Sequence, residues 1–159
     1  MPVKKTNAAR VLDGLGIPYE LAEFTPDLED LSAVRAAHEL NADPETVFKT
    51  LVVCTTPGGI WMTCIPAAAE LNLKRVAAVT GNKSAEMVPL KEVLPLTGYM
   101  RGGCSPVGGK KNYPVVIHET AQLYDRIYVS AGKRGLQFIL KPEDLAKAVD
   151  GFFADICQG

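Results

Sequence analysis

The sequence predicts an α+β fold: one compact domain with a mixed, mainly antiparallel sheet and packed helices. Three observations predict it. Two pairs of apolar, β-rich runs are each joined by a short turn, which is the pattern of hairpins. Helices and strands interleave irregularly, without the beat of a βαβ array. The chain of 159 residues, 47% hydrophobic and 22% charged, fits a single domain over 1–159. A chain of that size buries roughly 70% of its unfolded surface.

The elements follow in order. Thr6 to Leu15 reads as a short helix, with Val11, Leu12 and Leu15 on one face and Thr6 or Asn7 to cap it. Gly16-Ile17-Pro18 stops it, and Tyr19 to Phe24 alternates like a half-buried strand. After an acidic loop, Thr25 to Asp30, Ser32 caps a helix reaching about Leu40, and Asp43-Pro44-Glu45 is another start signal. The clearest β signal is Val47 to Thr55, the turn Pro57-Gly58-Gly59, and Ile60 to Ile65. Ala67 to Val79 is helical by pattern and closes at Gly81. Pro89 to Leu94 gives a further helical turn or two, and a glycine-rich loop runs from Arg101 to Lys111. Val115 to Ile117 is a short strand. Ile127 to Gly132 and Leu136 to Leu140 form a second hairpin about Lys133-Arg134-Gly135. Pro142 to about Ile156 reads as the closing helix, with Leu145, Val149, Phe152 and Phe153 on its apolar face.

Composition narrows the function classes. No apolar run approaches the roughly 18 residues of a membrane span. The start, Met1-Pro-Val-Lys-Lys-Thr-Asn, lacks the apolar core of a signal peptide. Cys54, Cys64, Cys104 and Cys157 are widely spaced, with no CxxC pair, so neither a zinc site nor a disulfide framework is expected. Reduced thiols in a cytoplasmic protein, with no metal and no cofactor, are the simplest reading. The net charge is −1, but it is unevenly placed. Residues 1–50 hold 5 basic and 9 acidic side chains, whereas residues 99–135 hold 6 basic and 2 acidic. A basic segment of this kind offers phosphates a landing site, or is simply a solvated surface.

Three features could carry chemistry. Lys49 shares a strand face with Leu51 and Val53, opposite Phe48, Thr50 and Val52, at the entrance to a strand apolar on both faces. It is either a pocket cation that orients a carbonyl, carboxylate or phosphate, or an edge lysine whose head reaches water. The loop holding Gly102, Gly103, Gly108 and Gly109 lets a ligand approach main-chain amides, or is a plain connection. It lacks the Gly-Lys-Ser/Thr ending of a phosphate-binding loop. Ser130 places a hydroxyl on a strand beside Tyr128, and Lys133 and Arg134 stand at a hairpin tip. A cysteine or serine hydrolase would need Cys104 or Ser105 to meet His38 or His118, the only histidines.

Taken together, Val47-Phe-Lys-Thr-Leu-Val-Val53, Gly102-Gly-Cys-Ser-Pro-Val-Gly-Gly-Lys-Lys111 and Ile127-Tyr-Val-Ser-Ala-Gly-Lys-Arg-Gly135 resemble the YbaK/EbsC family. These are free-standing relatives of the editing domain of bacterial prolyl-tRNA synthetase. The resemblance spans essentially the whole chain. It implies a mixed sheet or partial barrel, and hydrolysis of mischarged aminoacyl-tRNA without metal or cofactor. It implies Lys49, Gly102 and Gly103 as catalytic residues, with Lys49 near the aminoacyl end and terminal adenosine. It implies Phe24, Thr50, Cys104, Ser105, Pro106, Ser130 and Gln137 as substrate contacts. Lys110, Lys111, Lys133 and Arg134 would then touch the tRNA. For cysteine-specific members the resemblance implies attack by the substrate's own thiolate; members acting on alanine use a positioned water. The expected partners are mischarged tRNA and, second to it, prolyl-tRNA synthetase, with no membrane and no DNA. Two departures stand near the implied pocket: Gln137 replaces an aspartate of cysteine-specific members, and Leu31-Ser32-Ala33 replaces an aromatic. The expected activity is therefore deacylation in trans of cysteinyl-tRNA(Pro), with alanyl-tRNA(Pro) second. A non-catalytic module binding aminoacyl-tRNA or a synthetase is the different class that stays open.

Overall fold

Capping decides where the helices begin. In the computed structural model, which describes residues 5–159, α1 (Asn7–Gly14) starts where the Thr6 hydroxyl accepts from the Ala9 amide at 3.1 Å. Met1 to Lys4, part of the stretch read for a leader, lie outside the described residues. Ser32 caps α2 (Ala33–Glu39) in the same way through the Arg35 amide. Asp43 caps a single 3-10 turn at Pro44–Thr46. Between the first two helices lies β1 (Glu20–Glu23).

The predicted hairpin forms as β2 (Val47–Thr56) and β3 (Gly59–Pro66), paired from Phe48↔Pro66 to Thr55↔Gly59. The helix expected over Ala67 to Val79 is shorter: α3 spans Leu73–Val79. The Ala67 amide is committed to the Val47 carbonyl at 2.7 Å, and Leu71 bridges to Cys157, so the helix waits for the Asn72 cap. A strand unseen in the sequence follows, β4 (Ser84–Met87), and then α4 (Leu90–Thr97). Helix α4 runs three residues past the expected end, carrying Pro95 within it, and stops at Gly98 with φ 79°.

The rest of the chain supplies β5 (Val115–His118), β6 (Ile127–Lys133), β7 (Leu136–Leu140) and α5 (Pro142–Val149). The closing helix therefore ends seven residues before Ile156. Asp150 takes a left-handed conformation, φ 51°, and Phe152–Ala154 becomes β8, parallel to β5. Phe152 and Phe153 thus belong to a strand and not to the helix face expected for them.

The eight strands form one open mixed sheet in the order β1-β7-β6-β2-β3-β5-β8, with β4 paired to β2. Strand alternation sorts the side chains onto two faces. On one, Phe48, Met62, Cys64, Ile117, Val129 and Phe138 pack with Leu12 of α1 and Leu145 of α5. On the other, Val53, Ile65 and Val116 pack with Val76 of α3 and Ile156. Helix α2 covers a smaller patch that includes Val47 and Ala37. Among the described residues, no helix is long and apolar enough to cross a membrane.

Candidate active site

The sheet divides along one edge of β2. Strand β6 runs parallel to β2 only at Val47↔Tyr128 and Phe48↔Val129. It then leaves, because its pairing with β7 shifts register between Ser130 and Lys133. The Ser130 hydroxyl accepts from the Gly132 amide at 3.1 Å, holding Ala131 and Gly132 out as a bulge. Gly132 has φ 96°, and a Cβ there would lie 2.8 Å from the Tyr99 ring. On the same edge of β2, β4 begins to pair only at Val53↔Met87. Residues 49–52 are left between the two strands, and a cavity of ≈ 310 Å³ occupies the gap.

Because the cavity passes through the sheet, it is lined from both faces of β2. On one face Thr50 stands with Cys64 and Cys104; on the other Lys49 stands with Ser130 and Gln137, which are paired across β6 and β7, and with Ala33 and Ala36 of α2. Thr50 Oγ1 lies 3.7 Å from Cys64 Sγ. Burial lowers the pKa of the Lys49 ammonium, opposed by the nearby Cys157 and Glu70. Gln137 is 7% exposed, and its Oε1 is buried without a hydrogen-bond partner among the described residues. A buried amide oxygen with no donor is uncommon in a folded protein and marks a place where a ligand can bind.

The glycine-rich loop is pinned rather than loose. The Tyr99 hydroxyl donates to the Val107 carbonyl, the Val107 amide to Ser105 Oγ, and the Lys110 amide to the Thr97 carbonyl. Burial pushes the Tyr99 phenol up to about 12. At the cavity end of the loop, Gly102 has φ 84°, and a Cβ there would meet Leu31 Cβ at 3.2 Å. Glycine is needed at that point both for the dihedral and for the close approach.

Of the sequence-predicted residues, Phe24, Lys49, Thr50, Gly102, Cys104, Ser130, Arg134 and Gln137 line the cavity together. Gly103, Ser105 and Pro106 stand behind the wall. The Gly103 amide bonds the Met100 carbonyl, and Ser105 and Pro106 are buried. Lys110, Lys111 and Lys133 are exposed away from the lining, with Lys110 Nζ 3.4 Å from the Pro95 carbonyl. Neither histidine reaches the cavity. His38 is exposed on α2, and His118 Nδ1 accepts from the Ile156 amide at 3.2 Å. Burial pushes the Cys104 thiol up to about 11 and that of Cys64 to about 12, so neither is a nucleophile at neutral pH.

Sequence reasoning missed one wall and part of the mouth. Met87, Val88, Leu90 and Val93 line the cavity from β4 and the start of α4, and Arg101 joins Arg134, whose Nε donates to the Arg101 carbonyl at 2.7 Å. Leu90 and Met87 remain 64% and 45% exposed. The available signal was the helical spacing of Leu90 and Val93, without a second apolar face to pair them with. Among the described residues there is no cluster of metal-ligating side chains.

Residues 26–148 match the aminoacyl-tRNA editing domain. A protein of Enterococcus faecalis, provisionally named the Cys-tRNA(Pro)/Cys-tRNA(Cys) deacylase EbsC, is 44% identical over 153 residues, covering 96% of this chain and 93% of that protein. The crystal structure of a hypothetical protein superposes with a TM-score of 0.86 at 23% identity, over 96% of this chain and 100% of the other. That of a protein provisionally described as a trans-editing enzyme for prolyl tRNA synthetase superposes at 0.83 and 23% identity, over 99% and 100%. These two share the fold.

Proposed function

The chain belongs to the aminoacyl-tRNA editing domain family, and from that membership we propose that it is a trans-acting deacylase of mischarged tRNA, with cysteinyl-tRNA(Pro) its first substrate. The observation that carries the reading is the cavity at the sheet's fork, which joins polar groups able to orient an ester with no paired nucleophile and base. Cys104 and Cys64 stay protonated, and neither imidazole lines the site. Catalysis then rests on positioning and electrostatics, which together supply a large share of a rate enhancement.

In this reading the substrate's cysteine loses its thiol proton to solvent and its sulfur attacks the ester carbonyl. A carbon–sulfur bond forms, the carbon–oxygen ester bond breaks, and the ribose hydroxyl leaves with a proton taken from water. Water then opens the resulting cyclic thioester, breaking the carbon–sulfur bond and giving cysteine. Lys49 holds the terminal nucleotide from the face it shares with Ser130 and Gln137, while Thr50 and Cys104 flank the amino acid from the other. Arg101 and Arg134 at the mouth, with Lys110, Lys111 and Lys133 beyond it, attract phosphates without choosing a sequence. A prolyl-tRNA synthetase partner and a cytoplasmic location belong to the same proposal.

The test is deacylation of cysteinyl-, alanyl- and prolyl-tRNA(Pro) by the purified protein. Selective loss of the cysteinyl ester is expected. Selective loss of the alanyl ester would keep the reaction class and replace the amino acid; survival of all three at high protein concentration would overturn the reading.

A further inference from the structure

The open edge of β2 has main-chain polar groups that no other described residue meets. The Met62 amide donates outward to the Pro114 carbonyl at 2.9 Å, and the Val52 carbonyl accepts outward from the Val88 amide at 3.0 Å. Val52 and Met62 are opposite each other, so this pair exchanges no hydrogen bonds across the β2–β3 ladder. Antiparallel ladders alternate. Lys49, Leu51 and Val53 therefore bond to β3, while the N–H and C=O of Phe48, Thr50 and Val52 point to the other edge. There β6 serves Phe48 and pairs no further, and β4 begins at Val53. The N–H and C=O of Thr50 are left facing the cavity.

Resting on the deacylase reading above, we propose that the substrate's aminoacyl group docks against Thr50 as a one-residue β-strand. An aminoacyl ester carries a carbonyl and an α-ammonium on either side of one carbon, which are the acceptor and donor of a strand residue. Set antiparallel to Thr50, its carbonyl accepts the Thr50 N–H and its ammonium donates to the Thr50 C=O, as in a hydrogen-bonded pair with Cα atoms about 5.5 Å apart. The Thr50 N–H then lies where negative charge grows on the carbonyl oxygen during attack.

This pairing also fixes where the amino-acid side chain goes. Opposed residues of an antiparallel pair project to the same face. The substrate side chain therefore falls beside the Thr50 side chain, on the face of Cys64 and Cys104. The Thr50 hydroxyl, 3.7 Å from Cys64 Sγ, accepts from a donor on that side chain, which a thiol supplies and a methyl does not. Lys49, on the opposite face, is kept from the amino-acid side chain. Edge pairing thus holds any aminoacyl group, and the Thr50 hydroxyl chooses among them.

Amide exchange followed by NMR tests this with 3′-(L-cysteinylamino)-3′-deoxyadenosine, whose amide replaces the labile ester. In the free protein the Thr50 amide should exchange faster than its neighbour Leu51. Saturation with the analogue should slow Thr50 about tenfold, the scale of one charge-assisted hydrogen bond, and leave Leu51 unchanged. The 3-mercaptopropionyl analogue, lacking the α-amine, should bind about tenfold more weakly. Thr50→Val, which keeps the backbone groups, should abolish the preference for cysteinyl over alanyl analogues while keeping the penalty for the missing amine. Binding that leaves Thr50 unprotected, or that is indifferent to the α-amine, would overturn the pairing and leave the deacylase reading standing. Failure of the analogue to bind, with all three aminoacyl esters also intact, would overturn both.

Discussion

The two edges of β2 differ in kind. Along the β3 edge, pairing runs without a break from Phe48 to Thr55, and beyond it β3, β5 and β8 continue the ladder over two buried cores. Along the other edge, pairing lapses between Phe48 and Val53, a bulge turns β6 away, and apolar side chains of α4 stay exposed. Backbone polar groups in a folded domain are almost always paired, so an unpaired stretch held open by a bulge and a pinned loop is a place prepared for something else. The closed edge carries stability, and the open edge is where the proposed chemistry is placed.

Mutations on the two sides should separate these properties. The largest effect is expected at the closed side: Ile117→Ala, at a fully buried position, should cost about 2–5 kcal/mol in chemical denaturation. Turnover per folded molecule should be unchanged. Lys49→Ala should do the reverse, lowering cysteinyl-tRNA(Pro) turnover about 100-fold, as for loss of one preorganised charge contact. It should not lower the melting temperature. Burial depresses the Lys49 pKa, so the folded state disfavours the charged form relative to the unfolded chain. That cost is greatest below the depressed folded pKa and fades as pH rises through it, and the alanine variant lacks it. A chain in which Lys49→Ala unfolds the protein with no specific loss of turnover would erase the distinction between the edges.

Smaller effects sharpen the boundary. Arg134→Ala should weaken tRNA binding uniformly across sequences and reduce the salt slope of log affinity by about 1. An unchanged slope in filter binding would place the phosphates elsewhere. Cys104→Ser should change turnover by less than about twofold, since its thiol, raised to about 11, is protonated at working pH. Iodoacetamide should accordingly label Cys104 far more slowly than the exposed Cys54 at pH 8, with the rate rising toward pH 11. Rapid labelling of Cys104 at pH 8 would return it to the list of nucleophiles.

How much of this the sequence displayed depends on the range of the interactions. Thr6, Ser32 and Asp43 cap their helices as read, and both hairpins form, because a cap or a tight turn is decided within a few residues. Strand β4 is invisible because Ser84-Ala85-Glu86-Met87 has little β preference and exists through its pairing with β2. The closing helix was overextended because Leu145, Val149, Phe152 and Phe153 keep a helical spacing; only Asp150 in a left-handed conformation and the edge of β5 divert the chain. At the site, the side chains that line the cavity from β2, β6 and β7 were legible as motifs. The fork was not, since it depends on where β6 and β4 stop pairing with β2, a long-range property that no local pattern carries.

The claim beneath this division is that the open edge orients an ester whose own thiol does the attacking. Cleavage of cysteinyl-tRNA(Pro) should be compared with that of S-methylcysteinyl-tRNA(Pro) under single-turnover conditions. The account predicts release of cysteine and survival of the methylated ester. Equal cleavage of both would contradict it, because the attacking group would then have to come from water or from the protein.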